Sequence, residues 1–265
     1  FAISKSKKHI RMKKILIICF SLVFIAPLFS QKRDITLDDL WKNYAFYPKS
    51  VGGFNSMNDG EHYSTIKSTE DGQEIVKHKF KSGKKVRTLF KSTDFEIPKI
   101  RKYTFSKDEK QLLLATQTKS IYRHSSKSVY YIYNIHTDKL QKLRDEKVMY
   151  ATFSPQGDKV AYVLENNLFI QNIKSGAITQ VTSDGKKNHI INGASDWVYE
   201  EEFALVRSFE WAPDGEHIAY YKFDETHVKE FSMDLFKGGL YPTQDVFKYP
   251  KAGEDNSVVK VYFYN

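Results

Sequence analysis

Phe153-Ser154-Pro155-Gln156-Gly157-Asp158-Lys159, running into Val160-Ala161-Tyr162, is the stretch on which the reading of this chain turns. An aromatic residue, a small hydroxyl residue, a Pro-x-Gly turn and a short apolar run spell strand, tight turn, strand. The frame recurs on both sides. Phe105-Ser106-Lys107-Asp108-Glu109-Lys110 precedes Leu112-Leu113-Leu114-Ala115, and Trp211-Ala212-Pro213-Asp214-Gly215-Glu216-His217 precedes Ile218-Ala219-Tyr220. The copies start 48 and 58 residues apart (105 to 153, 153 to 211). A period of 40 to 60 residues with one such hairpin per period is the signature of a β-propeller, an all-β fold of radially arranged blades.

The intervals supply the outer strands of each blade. Val129–Ile135 and Leu140–Leu143 flank a turn at His136–Lys139, and Asn167–Ile173 and Ala177–Val181 flank Lys174-Ser175-Gly176. A weaker copy runs from His62 to Phe90, with turns at Asp71-Gly72 and Ser82-Gly83. About four blades are expected. A small β-sandwich would account for the turns but not for the repeated frame. The chain stops at Val259-Lys260-Val261-Tyr262-Phe263-Tyr264-Asn265, inside an expected strand, so the propeller reads as incomplete at that end.

The 265 residues are 41% hydrophobic and 15% aromatic, a composition that excludes an intrinsically disordered chain. One cysteine excludes a disulfide scaffold and a cysteine-ligated zinc site. Lys and Arg exceed Asp and Glu by 41 to 32, and the net charge of +9 invites a polyanionic partner. The excess sits at the front. Lys5, Lys7, Lys8, Arg11, Lys13 and Lys14 come before the first acidic residue, Asp34.

Met12-Lys13-Lys14, the apolar run Ile15–Phe29 and Ser30 form the order of a signal peptide, so residues 12–30 are expected to direct export to the periplasm or beyond. An uncleaved membrane anchor is the alternative. Residues 1–11, upstream of Met12, read as read-through. Without residues 1–30, six positive charges go and +9 becomes +3, so no nucleic-acid partner is expected. Residues 31–58 form a lead-in with a helical start (Thr36 as cap, Asp38 and Asp39 in the first turn), and 59–265 form the propeller.

Between the second and third copies of the frame lies Ser195-Asp196-Trp197-Val198-Tyr199-Glu200-Glu201-Glu202-Phe203, which leans helical with Asp196 or Ser195 as cap. Three adjacent carboxylates can be a solvated acidic turn anchored by its aromatics. They can also be a cation trap. At about 4 Å and an effective dielectric near 20, each carboxylate–ammonium pair gains roughly 4 kcal/mol before desolvation. A peptide α-amino group, with a pKa near 8, is largely protonated at neutral pH and fits such a trap. A lysine side chain or a metal ion are alternatives, the metal disfavoured by the lack of nearby His or Cys.

The run Asp196-Trp197-Val198-Tyr199-Glu200-Glu201-Glu202 resembles the double-glutamate motif of the dipeptidyl peptidase IV family, in the prolyl oligopeptidase clan. Ile121-Tyr122-Arg123-His124-Ser125 resembles that family's arginine strand, and Tyr249-Pro250-Lys251-Ala252-Gly253 with Val258–Val261 resembles the segment after its fourth blade. The resemblance covers residues 36–265. It implies an eight-bladed propeller followed by an α/β-hydrolase domain, with no cofactor. It implies that Glu201 and Glu202 hold the free N-terminal amine of a peptide with a penultimate proline, and that Arg123 bonds a backbone carbonyl of the bound dipeptide. The segment 228–247 resembles the arm that family members use to dimerise, so a homodimer is a further expectation. Between Glu202 and Trp211 the chain is about one residue shorter than mammalian members.

No serine here sits in a Gly-x-Ser-x-Gly elbow; Gly193-Ala194-Ser195 continues with Asp196-Trp197. No catalytic residue is therefore assigned to this segment, which is expected to hydrolyse nothing by itself. Two readings stand: the substrate-positioning propeller of an exported serine-type dipeptidyl peptidase, or a stand-alone periplasmic propeller that binds peptides or proteins without chemistry.

Overall fold

The structure, a computed structural model, describes residues 34–48 and 52–265. The expected signal peptide at 12–30 and the residues before it lie outside the described part. The chain divides into two compact units at Gly52–Gly53. In the first, Asp38–Lys42 form one π-helical turn. Thr36 and Asp39 close its start reciprocally: Asp39 N–H donates to Thr36 Oγ1 (3.1 Å), and Thr36 N–H donates to Asp39 Oδ2 (3.1 Å). This is a capping box, so Thr36 does the work expected of it.

The second unit is built of antiparallel sheets. β1 (Asn55–Ser56), β2 (His62–Ser68), β3 (Gln73–Lys79) and β4 (Lys85–Lys91) pair in chain order, so the first sheet begins at Asn55. β5 (Ile100–Phe105), β6 (Gln111–Ser120), β7 (Ser126–Asn134) and β8 (Lys139–Lys142) form the second sheet in the same way. β9 (Met149–Phe153), β10 (Lys159–Leu164), β11 (Asn167–Asn172) and β12 (Ile178–Gln180) form the third. In the fourth, β13 (Ile190–Asn192) is followed by a helix, α1 (Trp197–Phe203), then by β14 (Phe209–Trp211) and β15 (Ile218–Asp224). A hairpin of β16 (Glu230–Leu235) and β17 (Thr243–Lys248) intervenes before β18 (Val258–Tyr264) returns to pair with β15 along its whole length.

Strand alternation explains how these sheets stack. On β6, Leu112 and Leu114 pack with Ile75 and Phe90 of the first sheet, while Leu113 points the other way, toward Val160 and Tyr162 of β10. On β10, Ala161 and Val163 face the fourth sheet, joining Phe209, Trp211, Ile218 and Phe223. β6 and β10 are thus buried on both faces, which is why they read as near-continuous apolar runs. The result is the expected propeller: successive blades separated by apolar layers.

The recurring frame has one geometry in all three copies. Glu109 N–H donates to Ser106 O, Gly157 N–H to Ser154 O and Gly215 N–H to Ala212 O, each at 2.9 Å. The fourth turn position has positive φ in every copy: 57° at Glu109, 73° at Gly157 and 70° at Gly215. Glycine takes this conformation freely, and Glu109 takes it at a cost of roughly 1–2 kcal/mol. The turns also link blade to blade. The Gln111 side chain donates to Gly157 O (2.6 Å), and the Gln156 side chain donates to Asp214 O (2.7 Å). One cavity of about 690 Å³ is lined by Tyr103 and Phe105 of β5, Thr152 of β9 and Trp211 of β14, so strands of three successive sheets share one space.

Candidate functional site

α1 starts where the sequence provides a cap. Asp196 is extended at φ −76°, ψ 177°, and its Oδ1 accepts the N–H of Tyr199 at 2.9 Å, which decides between the two candidate caps. Its other oxygen accepts from Ser257 Oγ, tying the helix start to the residue just before β18. Ala204 ends the helix in the left-handed region at φ 53°. The aromatics anchor both flanks: Trp197 lies 4.6 Å from Tyr249 and 6.0 Å from Phe247, and Tyr199 lies 5.1 Å from Phe223. Seven residues make a marginal helix alone, so these contacts hold it.

Arg123 does not lie in a strand, contrary to the expectation carried by the resemblance. Residues 121–125 form the turn between β6 and β7, closed by Ile121 N–H donating to Ser125 O (2.9 Å) and by Tyr122 N–H donating to Ser125 Oγ (3.2 Å). Strand pairing stops at Ser120–Ser126, and the backbone amides of Ile121, Tyr122, His124 and Ser125 find other acceptors. Two of those acceptors are the same atom: Oε1 of Glu200, which takes the N–H of His124 at 2.8 Å and of Ser125 at 2.7 Å.

The three glutamates therefore differ. Successive residues of an α-helix are about 100° apart around its axis, so three identical side chains meet three environments. Glu200 points into the protein and is 2% exposed. Glu201 has a side chain 14% exposed and forms an ion pair with Arg123, Nε to Oε2 3.1 Å. Glu202 is exposed and has no side-chain partner among the described residues. The structure thus brings Arg123 and Glu201 together across 78 residues of chain, and Glu202 follows Glu201 on the exposed side of the helix. Arg123 is 73% exposed, and its two terminal nitrogens make no bond to the described residues. One oxygen of Glu201 and both of Glu202 are likewise unengaged. This arrangement presents carboxylate acceptors and guanidinium donors side by side, matching a group that carries an ammonium next to a carbonyl.

Behind α1 lies a cavity of about 650 Å³ lined by Tyr122, Ser125, Trp197, Glu200, Glu225 and Lys248, among others. Glu225 is 5% exposed, and its carboxyl is pushed up to about 7 by burial and by the neighbouring charge of Asp196, with Lys248 opposing. Burial, with Asp245, Glu225 and Glu200 nearby, pushes the Tyr122 hydroxyl up to about 12. Neither of these cavities is lined by Arg123, Glu201 or Glu202; Arg123 and Glu202 are exposed, and Glu201 is half-buried. Sequence reasoning missed Glu225 and the anchoring role of Glu200, although both left signals. Glu225 follows Phe223 at the strand period of two, on the core side, and helical phase separates Glu200 from its neighbours. Among the described residues, no three His, Cys, Asp or Glu side chains group to hold a metal ion.

The segment 228–247, read as a dimerisation arm, is the β16–β17 hairpin, whose tip exposes Phe236, Leu240 and Tyr241.

Comparisons with known proteins agree with this architecture. A family model described as the dipeptidyl peptidase IV N-terminal region matches residues 106–265. Inactive dipeptidyl peptidase 10 of Mus musculus is 37% identical over 184 residues, which make up 67% of this chain and 23% of that protein. The probable dipeptidyl-aminopeptidase B of Chaetomium globosum is 38% identical over 199 residues, 68% of this chain and 21% of that protein. The crystal structure of Porphyromonas gingivalis dipeptidyl peptidase 4 superposes with a TM-score of 0.80 at 39% identity, covering 88% of this chain and 34% of that one. The chain spans between a fifth and about a third of the length of these proteins.

Proposed function

The chain belongs to the dipeptidyl peptidase IV family, and on that premise we propose that it is the substrate-positioning propeller portion of a serine-type dipeptidyl peptidase that removes Xaa-Pro dipeptides from peptide N-termini. Glu201 and Glu202 receive the protonated terminal amine. Arg123 donates from its terminal nitrogens to a backbone carbonyl of the bound dipeptide. The nucleophile, general base and oxyanion hole belong to an α/β-hydrolase domain encoded elsewhere in the gene. Fixing the amine on the propeller measures the distance to the second peptide bond, so that bond alone reaches the serine.

The observation that carries this reading is the Arg123–Glu201 pair, formed by two residues far apart in sequence and left with free donors and acceptors. The relatives' names include one protein called inactive, so likeness of this region does not decide turnover. Kinetics do. In the protein encoded by the complete gene, Glu201→Ala and Glu202→Ala should each lower kcat/KM for Gly-Pro-p-nitroanilide by roughly 30-fold or more, the worth of about 2 kcal/mol in a charged hydrogen bond. The N-acetylated substrate, which lacks the charge, should be poor for wild type and equally poor for the variants. Wild-type rates in either variant would sink the proposal.

A further inference from the structure

We propose that Glu200, the buried member of the glutamate triplet, is a positioning residue that sets Arg123 in register with Glu201 and Glu202. The inference rests on the substrate-positioning reading above and assigns Glu200 a role distinct from binding the amine.

Glu200 is 2% exposed, and one of its oxygens is already committed to two backbone amides. Those amides belong to His124 and Ser125, the two residues that follow Arg123. The bonds cross from the α1 excursion of the fourth sheet to the β6–β7 turn of the second, so they join the two elements that carry the proposed site. The Arg123–Glu201 ion pair bridges the same elements, but one partner is largely exposed, and such pairs fix geometry weakly. Hydrogen bonds to a carboxylate shielded from water are stronger and more directional. The turn's internal bonds, from Ile121 and Tyr122 to Ser125, shape it without locating it against the helix.

The helix end of the tether is itself held. Asp196 caps the first turn, Ala204 N–H donates to Glu200 O (3.1 Å), and Trp197 and Tyr199 pack on either flank. Glu200 is thus a rigid post, and the arginine turn hangs from it. Loss of the post frees Arg123 to move relative to the glutamates while leaving every amine-binding oxygen in place. Misplacement of such a group by about 1 Å can cost up to 100-fold in rate.

The test is a double-mutant cycle in the protein encoded by the complete gene, read with Gly-Pro-p-nitroanilide. Glu200→Ala should lower kcat/KM by at least about ten-fold. Glu200→Gln keeps an acceptor oxygen at the same reach and should stay within about three-fold of wild type. In an Arg123→Ala background, Glu200→Ala should add less than about two-fold, because it acts through Arg123. Hydrogen exchange of a peptide spanning 121–126 should quicken about ten-fold or more in Glu200→Ala and remain near wild type in Glu200→Gln. Should Glu200→Ala not fold, Glu200→Asp, one methylene shorter, takes its place in the cycle. Full additivity with Arg123→Ala, failure of Gln to rescue, or unchanged exchange overturns the positioning role. An Arg123→Ala variant with wild-type kcat/KM instead overturns the substrate-positioning reading on which it rests.

Discussion

The third and fourth sheets contain the same frame and differ in how their strands are connected. In the third, β9 to β12 follow one another through short turns, and the polar residues of the connections satisfy one another locally: Asp158 accepts from Ser154 Oγ at 2.8 Å, and Asn172 Oδ1 accepts from Ser175 at 2.9 Å. In the fourth, two excursions interrupt the order, α1 between β13 and β14 and the β16–β17 hairpin between β15 and β18. Every residue singled out for amine binding, and Glu225 with its raised pKa, belongs to or borders the interrupted sheet. A regular blade spends its residues on two apolar faces. Only where the strand order is broken can carboxyl groups be held together without joining the core.

That contrast can be broken from either side, beginning where the effect is largest. Leu114→Ala hollows out the apolar layer between the first and second sheets, where the residue is fully buried. It should cost about 2–5 kcal/mol in urea unfolding, with KM for Gly-Pro-p-nitroanilide, read in the protein encoded by the complete gene to test the proposed function, unchanged. A comparable rise in KM would show that blade packing and the site are not separable.

Glu225→Gln probes the other side. A carboxyl raised from 4.5 to about 7 holds its proton in the folded state when the unfolded chain has lost it. Stability from this group is therefore present below about pH 4.5 and lost as the pH rises through about 7. The difference is worth at most roughly 3 kcal/mol. The Gln variant escapes the loss, so its melting temperature should exceed wild type by more at pH 8 than at pH 5. A pH-independent difference would contradict the assignment.

The smallest effect concerns the junction itself. Asp196→Ala removes the cap of α1 and the acceptor for Ser257, and should cost about 1 kcal/mol, within the 0.5–2 kcal/mol typical of lost caps. Asp196→Asn keeps an acceptor and should recover most of it. Equal melting temperatures for Ala and Asn would mean that the aromatic contacts of Trp197 and Tyr199 hold the helix without the cap.

Much of this was legible in order along the chain, because local rules govern it. The repeated aromatic-Ser-Pro-x-Gly frame specifies a turn and two strands wherever it occurs, and strand period two then sends Leu112 and Leu114 one way and Leu113 the other. Glu109 shows that the frame survives without its glycine; Asn58 donates to Glu109 Oε1 and to Lys107 O, holding the turn from outside. The helix at Trp197 and its Asp196 cap follow from equally local chemistry. The carboxylates at 201 and 202 came by resemblance, with no account of why the first glutamate should differ.

Other features depended on which residues the fold makes neighbours. Arg123 was expected on a strand and sits in a turn, where the amides of the next two residues, His124 and Ser125, are taken by Glu200. The raised pKa of Glu225 needs the charge of Asp196 nearby and the burial that only packed blades provide. Local sequence thus determined the strands, the turns, the apolar layers and the capped helix, since each depends on residues a few positions apart. Tertiary structure decided which of three adjacent glutamates is tether, ion-pair partner or free acceptor. Helical phase offers three directions, and only the packed neighbours determine which one faces protein, arginine or water.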